Sequence, residues 1–409
     1  MNVEDDRLSS LPDDLIHKIL SFMGTEHAVQ TSVLSSRWRF IWTSMPYLNL
    51  SHDDFFRLPT FSKFFTRFLS DRNNQSDMTS VKLSVHGHDT YLVVKQIMAY
   101  ALSHNIQQLN LGFSCNIDFE FPLCLFTSRS LKHLSLTTED FSSNGYRRKF
   151  SFTYVFKATS TWDLPALTTL SIHDVYLCYD ENTDELFVDL FSKCANLKNL
   201  TLKGCYTKGF TGLSICLPLL TELTLETEYG SVEVFNIVAP QLKNLTIRSF
   251  ISESHEYLIS APHLVFLDYK GWSCLQLSTN AFLSLEKAHI CISYSTYAHQ
   301  VLRLLQQIRN VKFLTLNLEV VELLSSFVEL LAHLPSPFAN LKSLKIHPER
   351  ERLKVREHKR VEMSAEVRSY LLDGSPGATF TMVSREDIKS MKKLAENLRT
   401  MSIARAGES

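Results

Sequence analysis

Residues 217–269 read LPLLTELTLETEYGSVEVFNIVAPQLKNLTIRSFISESHEYLISAPHLVFLDY. Three times in this stretch an apolar residue is followed, three and five positions later, by two more: Leu220-Leu223-Leu225, Leu242-Leu245-Ile247 and Leu264-Leu267-Tyr269. The second and third members are two apart, so in a strand both point to the same face. One such strand cannot bury its apolar face. Parallel strands from successive units, stacked, make a continuous core. Pro218, Pro240 and Pro262 stand ahead of the triplets, where a residue without an amide proton suits a turn or the first strand position.

The same triplet recurs outward in both directions. Toward the N-terminus it appears as Leu197-Leu200-Leu202, Leu167-Leu170-Ile172, Leu131-Leu134-Leu136 and Ile106-Leu109-Leu111, with Met78-Val81-Leu83 and Met45-Leu48-Leu50 as earlier units. Toward the C-terminus it continues as Leu285-Ala288-Ile290, Val311-Leu314-Leu316 and Leu341-Leu344-Ile346. A parallel strand pair needs a crossover, and most gaps are long enough for a helix. Residues 89–104, 184–194, 298–309 and 320–334 carry apolar residues at helical spacing and are expected to be those helices. The unit length is irregular, so the array is read as a series rather than unit by unit.

Ahead of the array, residues 8–42 read LSSLPDDLIHKILSFMGTEHAVQTSVLSSRWRFIW. Pro12 suits the first turn of a helix, and Asp13 and Asp14 suit its positive end. Leu15, Ile16, Ile19, Leu20 and Met23 follow at helical spacing, and Gly24 is expected to end the helix. A second short helix runs through Ala28, Val29 and Val33. Ser35 and Ser36 are candidate caps for a third, which carries Trp38, Ile41 and Trp42. Three short helices cannot bury Leu11, Ile16, Leu34 and Trp38 together, so an apolar patch is expected at the surface, as on partner-binding modules.

Leu11-Pro12-Asp13-Asp14-Leu15-Ile16, the Ile19-Leu20 pair, Ser32-Val33-Leu34-Ser35 and Arg37-Trp38 together resemble the F-box. The triplet series resembles the degenerate leucine-rich repeats that follow the F-box in plant proteins. The resemblance implies an α/β chain: an N-terminal three-helix F-box over residues 1–50, then an irregular leucine-rich-repeat solenoid over 51–346 with parallel strands on its concave side. Residues 347–409 are a C-terminal cap, and within 335–383 the runs Leu341–Ile346, Val367–Leu372 and Ser375-Pro376-Gly377 resemble a diverged form of the FBD tail. The implied function is that of the substrate-recognition subunit of an SCF-type (Skp-cullin-F-box) ubiquitin ligase, with no catalytic residue and no cofactor of its own. The F-box would hold a Skp-type adaptor, and through it a cullin, by Leu11, Pro12, Ile16, Leu20, Val33, Leu34 and Trp38. The repeats would hold a target protein.

Within each triplet, the residue between the second and third apolar positions faces out of the strand. In order from Ile106 onward, that column is Asn110, Ser135, Ser171, Thr201, Thr224, Thr246, Asp268, His289, Thr315 and Lys345. Its early members are small and neutral. The later ones, with the flanking outward residues Phe266, Lys270, Lys287 and Phe313, combine aromatic rings with fixed charge, as recognition surfaces do. The expected target-binding residues are therefore Phe266, Asp268, Lys270, Lys287, His289, Phe313 and Lys345. They equally suit a plain solvated sheet, or a sheet covered in part by the C-terminal tail. A long insertion between Leu136 and Leu167, with aromatics at 150, 152, 154 and 156, is expected to form an added strand or hairpin.

Composition narrows the alternatives. The 409 residues are 44% apolar and 21% charged, with a formal net charge of -1, so no global field draws the chain to nucleic acid or to an anionic membrane. The N-terminus lacks a basic region followed by an apolar one, and no apolar run reaches the ~20 residues of a spanning helix; the cytosol or nucleus is the expected compartment. None of the eight cysteines has C-x-x-C spacing, and the even spacing of Cys194, Cys205 and Cys216 reads as buried thiols of a repeat core. His86-Gly87-His88 has no companion ligands nearby in sequence. Nucleotide-binding, hydrolase and zinc-protease motifs are absent. Two other functions remain: an adaptor-bound sensor of a small ligand, and a nucleic-acid binder using the basic run 350–360, whose interspersed glutamates favour a solvated loop.

Overall fold

The computed structural model describes residues 7–55, 58–73, 76–86, 91–114, 121–138, 155–157, 162–178, 187–208, 210–227, 232–250, 255–277, 282–293, 297–348 and 363–383. The chain divides into two compact units, one built on residues up to Leu220 and the other on nearly everything from Thr221 onward.

The first unit opens with three short helices, α1 (Asp13–Leu20), α2 (Thr25–Gln30) and α3 (Trp38–Ile41). Ile16, Leu20, Ala28, Trp38 and Ile41 form their shared interior. Arg37 and Trp38 tie the leading segment down. The Arg37 guanidinium donates to the Leu11 carbonyl at 2.7 Å and to the Asp13 carboxylate at 2.6 Å, and the Trp38 indole donates to Ser9 Oγ at 3.1 Å. Two local expectations are corrected. Gly24 has an ordinary φ of -62° and precedes α2 rather than closing α1, which ends at Leu20 with Ser21 as its cap. Arg37, not Ser35 or Ser36, precedes α3, with no side-chain cap. Ser35 instead bonds Ser9 at 2.8 Å.

The chain then enters a parallel sheet: β1 (Tyr47–Ser51), α4 (Leu58–Asp71), β2 (Ser80–His86), α5 (Tyr91–Ser103), β3 (Gln108–Ser114), β4 (His133–Thr138), β5 (Val155–Lys157) and β6 (Thr169–His173). It continues through β7 (Tyr176–Cys178), β8 (Phe187–Val188), β9 (Asn199–Lys203), β10 (Tyr206–Lys208) and β11 (Gly212–Cys216). β1, β2, β3, β4, β6 and β9 pair in that order, each parallel to the next. They are the triplet strands. In β4, β6 and β9 the outward residues are half-buried and the inward ones, such as Leu134, Leu136, Leu170 and Leu200, are buried.

The second unit repeats the plan with β12 (Glu222–Thr227), β13 (Val234–Val238), β14 (Asn244–Ser249), β15 (Glu256–Ser260), β16 (Phe266–Gly271), β17 (Gln276–Leu277) and β18 (Lys287–Ile292). α6 (Ala298–Gln307), β19 (Phe313–Asn317), α7 (Leu318–Ser325), α8 (Val328–Leu331), β20 (Ser343–His347), α9 (Ala365–Leu372) and β21 (Thr379–Met382) complete it. β12, β14, β16, β18, β19, β20 and β21 form its parallel sheet in that order. One carbonyl of each unit accepts two successive amides of the next. Lys243 and Asn244 donate to Thr221, Val265 and Phe266 to Lys243, and Glu286 and Lys287 to Val265. The mixed α/β architecture is a leucine-rich-repeat solenoid entered through the helical module.

The crossovers differ from expectation where the repeats are short. Residues 91–103 and 298–307 are helical as expected. In 184–194 the described part is instead the strand β8 followed by turns. β8 pairs with β11, and β13 pairs with β15 and β15 with β17, as a second parallel layer. A crossover of about a dozen residues has little room for a helix plus two turns, and the alternating, β-branched Val234-Phe235-Asn236-Ile237-Val238 favours a strand. The expected helix over 320–334 is broken at Ser326–Phe327, where Phe327 leaves helical geometry (φ -128°, ψ 39°). Of the insertion between Leu136 and Leu167, residues 150, 152 and 154 lie outside the described residues. Val155–Lys157 is an added strand, parallel to β7.

Candidate functional site

Two surfaces on these units combine exposed apolar groups with a defined scaffold. The first is on the helical module. α1 buries Ile16 and Leu20 and leaves Leu15 and Ile19 exposed, with Phe22 just beyond its end 79% exposed. Residues 15, 19 and 22 are spaced four and three apart, so they lie along one helical stripe. Val33 (85%), Leu34 (61%) and Leu8 are exposed, Pro12 is exposed and Leu11 half-buried. The Ser9–Ser35 and Arg37–Leu11 bonds hold the 8–12 segment beside Val33 and Leu34. Among the residues expected to touch an adaptor, the structure therefore presents Leu11, Pro12, Val33 and Leu34. Ile16, Leu20 and Trp38 are 0%, 1% and 4% exposed and support the face from beneath. Leu15, Ile19 and Phe22 were not singled out from the sequence as contacts. The stripe was readable there, but which side of it faces in depends on where α3 packs.

This module is built into the first repeat. Its last segment is β1, already a strand of the sheet. Buried Arg72, after α4, donates to the Met45 carbonyl at 2.8 Å and to the Tyr100 hydroxyl at 3.2 Å, and Thr25 Oγ1 accepts the Asn49 amide at 2.9 Å.

The second surface is the outward face of the second unit's sheet. Strand register aligns Phe266, Lys287, Phe313 and Ser343 in one row and Asp268, His289, Thr315 and Lys345 in the next. Lys270 lies beyond Asp268 on β16, beside Arg248 on β14. The structure thus brings the seven expected target-binding residues onto one face. Asp268 Oδ2 is 3.2 Å from the Arg248 guanidinium, and Asp268 Oδ1 is 2.8 Å from His289 Nδ1. The His289 ring lies 5.4 Å from that of His347. Lys287 Nζ sits 5.2 Å over the Phe266 ring, and Lys270 Nζ 5.8 Å over Phe250. Phe313 is 44% exposed.

Burial alone would raise the Asp268 carboxyl. His289, Arg248 and Lys270 outweigh it and hold its pKa below the ordinary carboxylate value. A depressed carboxyl contributes stability that is present above its unfolded pKa of about 3.9 and lost as pH falls through the folded value. Asp268→Asn is therefore expected to melt lower than the parent chain at pH 7, with the gap closing below about pH 4. A gap independent of pH, measured by thermal melts across that range, contradicts this electrostatic account.

Burial pushes the Cys194 thiol up to about 11 and the Cys205 thiol up to about 12, so both stay protonated. Of the three evenly spaced cysteines expected to be buried core thiols, Cys194 is buried, Cys205 is half-buried and Cys216 is exposed. Among the described residues no three His, Cys, Asp or Glu side chains gather as a metal site. No described helix is long and apolar enough to cross a membrane. His88 and the basic run 350–360 lie outside the described residues.

A helical module with an outward apolar face, continuous with a parallel-strand repeat array, defines an F-box protein with leucine-rich repeats. Comparison with known families agrees. The F-box domain model matches residues 8–50, and the model of the LRR repeats of FBD-associated F-box protein At5g56370 matches 94–346. The chain belongs to this F-box/LRR family. It is 28% identical over 359 residues to the putative F-box/LRR-repeat protein At5g02930 of Arabidopsis thaliana, covering 84% of this chain and 67% of that protein. It is 30% identical over 258 residues to F-box/LRR-repeat protein 25, covering 61% and 88%, and 29% identical over 302 residues to F-box/FBD/LRR-repeat protein At5g22700, covering 72% and 60%, both of the same plant. Proteins of this family are generally non-catalytic adaptors, and F-box domains generally bind Skp-type adaptors.

Proposed function

We propose that the chain is the substrate-recognition subunit of an SCF-type ubiquitin ligase, with the F-box over residues 1–50, the repeats over 51–346 and a C-terminal cap beyond. The observation that carries this is the exposed apolar face of the module, Leu15, Ile19, Phe22, Val33 and Leu34, standing on a sheet that the module itself begins. Such a patch suits an apolar partner. Leu11 and Pro12 border it, and Ile16, Leu20 and Trp38 fix its shape. With the adaptor and a cullin bound there, the outward face around Phe266, Asp268, Lys270, Lys287, His289, Phe313 and Lys345 would hold a target near a ubiquitin-charged enzyme. The chain then accelerates transfer by proximity and supplies no acid, base or nucleophile.

The test is reconstitution of the purified chain with a Skp-type adaptor, cullin, RING protein and charged E2. A stoichiometric assembly that transfers ubiquitin to the chain or to a held partner is expected. Assembly without transfer points to an adaptor-bound sensor instead, and failure to assemble removes the proposal.

A further inference from the structure

On the part of the outward face formed by β16, β18, β19 and β20, acids and bases are not balanced, whereas β12 carries the outward acids Glu222 and Glu226. Across β16, β18, β19 and β20, the outward residues in the strand register are Phe266, Asp268 and Lys270, then Lys287 and His289, then Phe313 and Thr315, then Ser343, Lys345 and His347. Asp268 is the one carboxylate among them, and it is already held by Arg248 on one side and His289 on the other. Glu286, the acid beside Lys287 in sequence, is bonded to Lys312. Lys287 touches the Phe266 ring, and among the described residues neither Lys287 nor Lys345 makes an ion pair. Both are exposed. Parallel strands lie about 4.8 Å apart, so two cations set two strands and two residues apart are roughly 12 Å from one another, spanned by four extended residues. Between them stands Phe313, beside Lys287 in the register.

Resting on the reading that the repeats hold a target, we infer that the target segment is an acidic peptide with an apolar side chain, its carboxylates facing Lys287 and Lys345 and the apolar group laid on Phe313. Two exposed cations bracketing an exposed ring favour anions at that interval with a hydrophobic group between them. The first unit differs: its central outward residues Asn49, Asn110, Ser135, Ser171 and Thr201 are neutral, and its outward cations Lys82 and Lys203 stand on β2 and β9, four strands apart, with no exposed phenyl ring on the strands between. A nucleic acid is less well matched, because its affinity comes from many phosphate contacts, on the order of 6–10, and this face offers few cations.

The test is a selection from a displayed library of random peptides about ten residues long, more than enough to cross four strands. It is run on the full chain co-purified with a Skp-type adaptor and, separately, on the chain alone. Enriched sequences are expected to carry a surplus of Asp and Glu with at least one Leu or Phe. Their recovery should fall at least tenfold with Lys287→Glu plus Lys345→Glu, and should also fall with Phe313→Ser at unchanged charge preference. Enrichment of neutral or basic peptides, recovery indifferent to the double charge reversal, absence of any enrichment, or displacement of the peptides by a single-stranded oligonucleotide overturns the inference. Adaptor retention by the same variants reports separately on the ligase reading. Peptides that bind elsewhere on the repeats leave that reading standing while this one falls.

Discussion

Val33→Asp combined with Leu34→Asp is expected to weaken binding of a Skp-type adaptor by a hundredfold or more, with little change in melting temperature. Both side chains are mostly solvent-exposed, at 85% and 61%, so the isolated chain loses almost no packing when they change. In a complex they would be desolvated. Truncating an interface anchor costs about 2 kcal/mol or more, and placing an unpaired carboxylate there adds to that. At about 1.4 kcal/mol per tenfold, the pair reaches two to three decades in Kd. Titration of purified adaptor against both proteins measures the loss, and thermal melts show that the module is still folded. Wild-type affinity in the folded double variant would falsify the adaptor assignment. Ile16→Asp is no substitute for this experiment, because Ile16 is fully buried and its loss of binding reports only unfolding.

Trp162→Ala is expected to lower the stability of the first unit by about 3–5 kcal/mol, the usual cost of removing a fully buried large aromatic. Trp162 is 1% exposed, lies 4.9 Å from the Phe126 ring and meets Phe191 edge-on at 5.5 Å. Its backbone is also engaged, the amide donating to Leu190 and the carbonyl accepting from Cys194 Sγ. An alanine there leaves a void lined by two other aromatics. Urea unfolding followed by Trp-independent far-UV circular dichroism gives the change, and a loss under about 1 kcal/mol means the three rings do not pack as described.

Much of the fold is legible in the sequence. The triplets named their own strands, because a two-residue period has one meaning in a stacked parallel sheet: every triplet from Met45 to Leu341 lies at or beside a strand of the repeat sheets. The crossovers were less legible. Helix and strand compete over short apolar segments, and what decided 187–188, 234–238 and 256–260 was the length left after the turn, together with a neighbouring strand already present to pair with. The break at Ser326–Phe327 in a segment with helical spacing is a second case, set by packing rather than by period.

The sequence by itself determined the repeat strands, the F-box helices, and the outward column that turns from neutral to charged beyond Thr246, because each follows from side-chain spacing along one strand or helix. Tertiary structure alone decided which F-box residues face out. Ile16, Leu20 and Trp38 are as apolar as Leu15, Phe22 and Val33, and only the packing of α1 against α3 separates core from face. It also decided that Asp268 is held by residues twenty positions before it and twenty-one after it, while among the described residues Lys287 and Lys345 make no ion pair. Strand register makes neighbours of residues a whole repeat apart, and a charge balance that depends on those neighbours exists only once the strands are stacked.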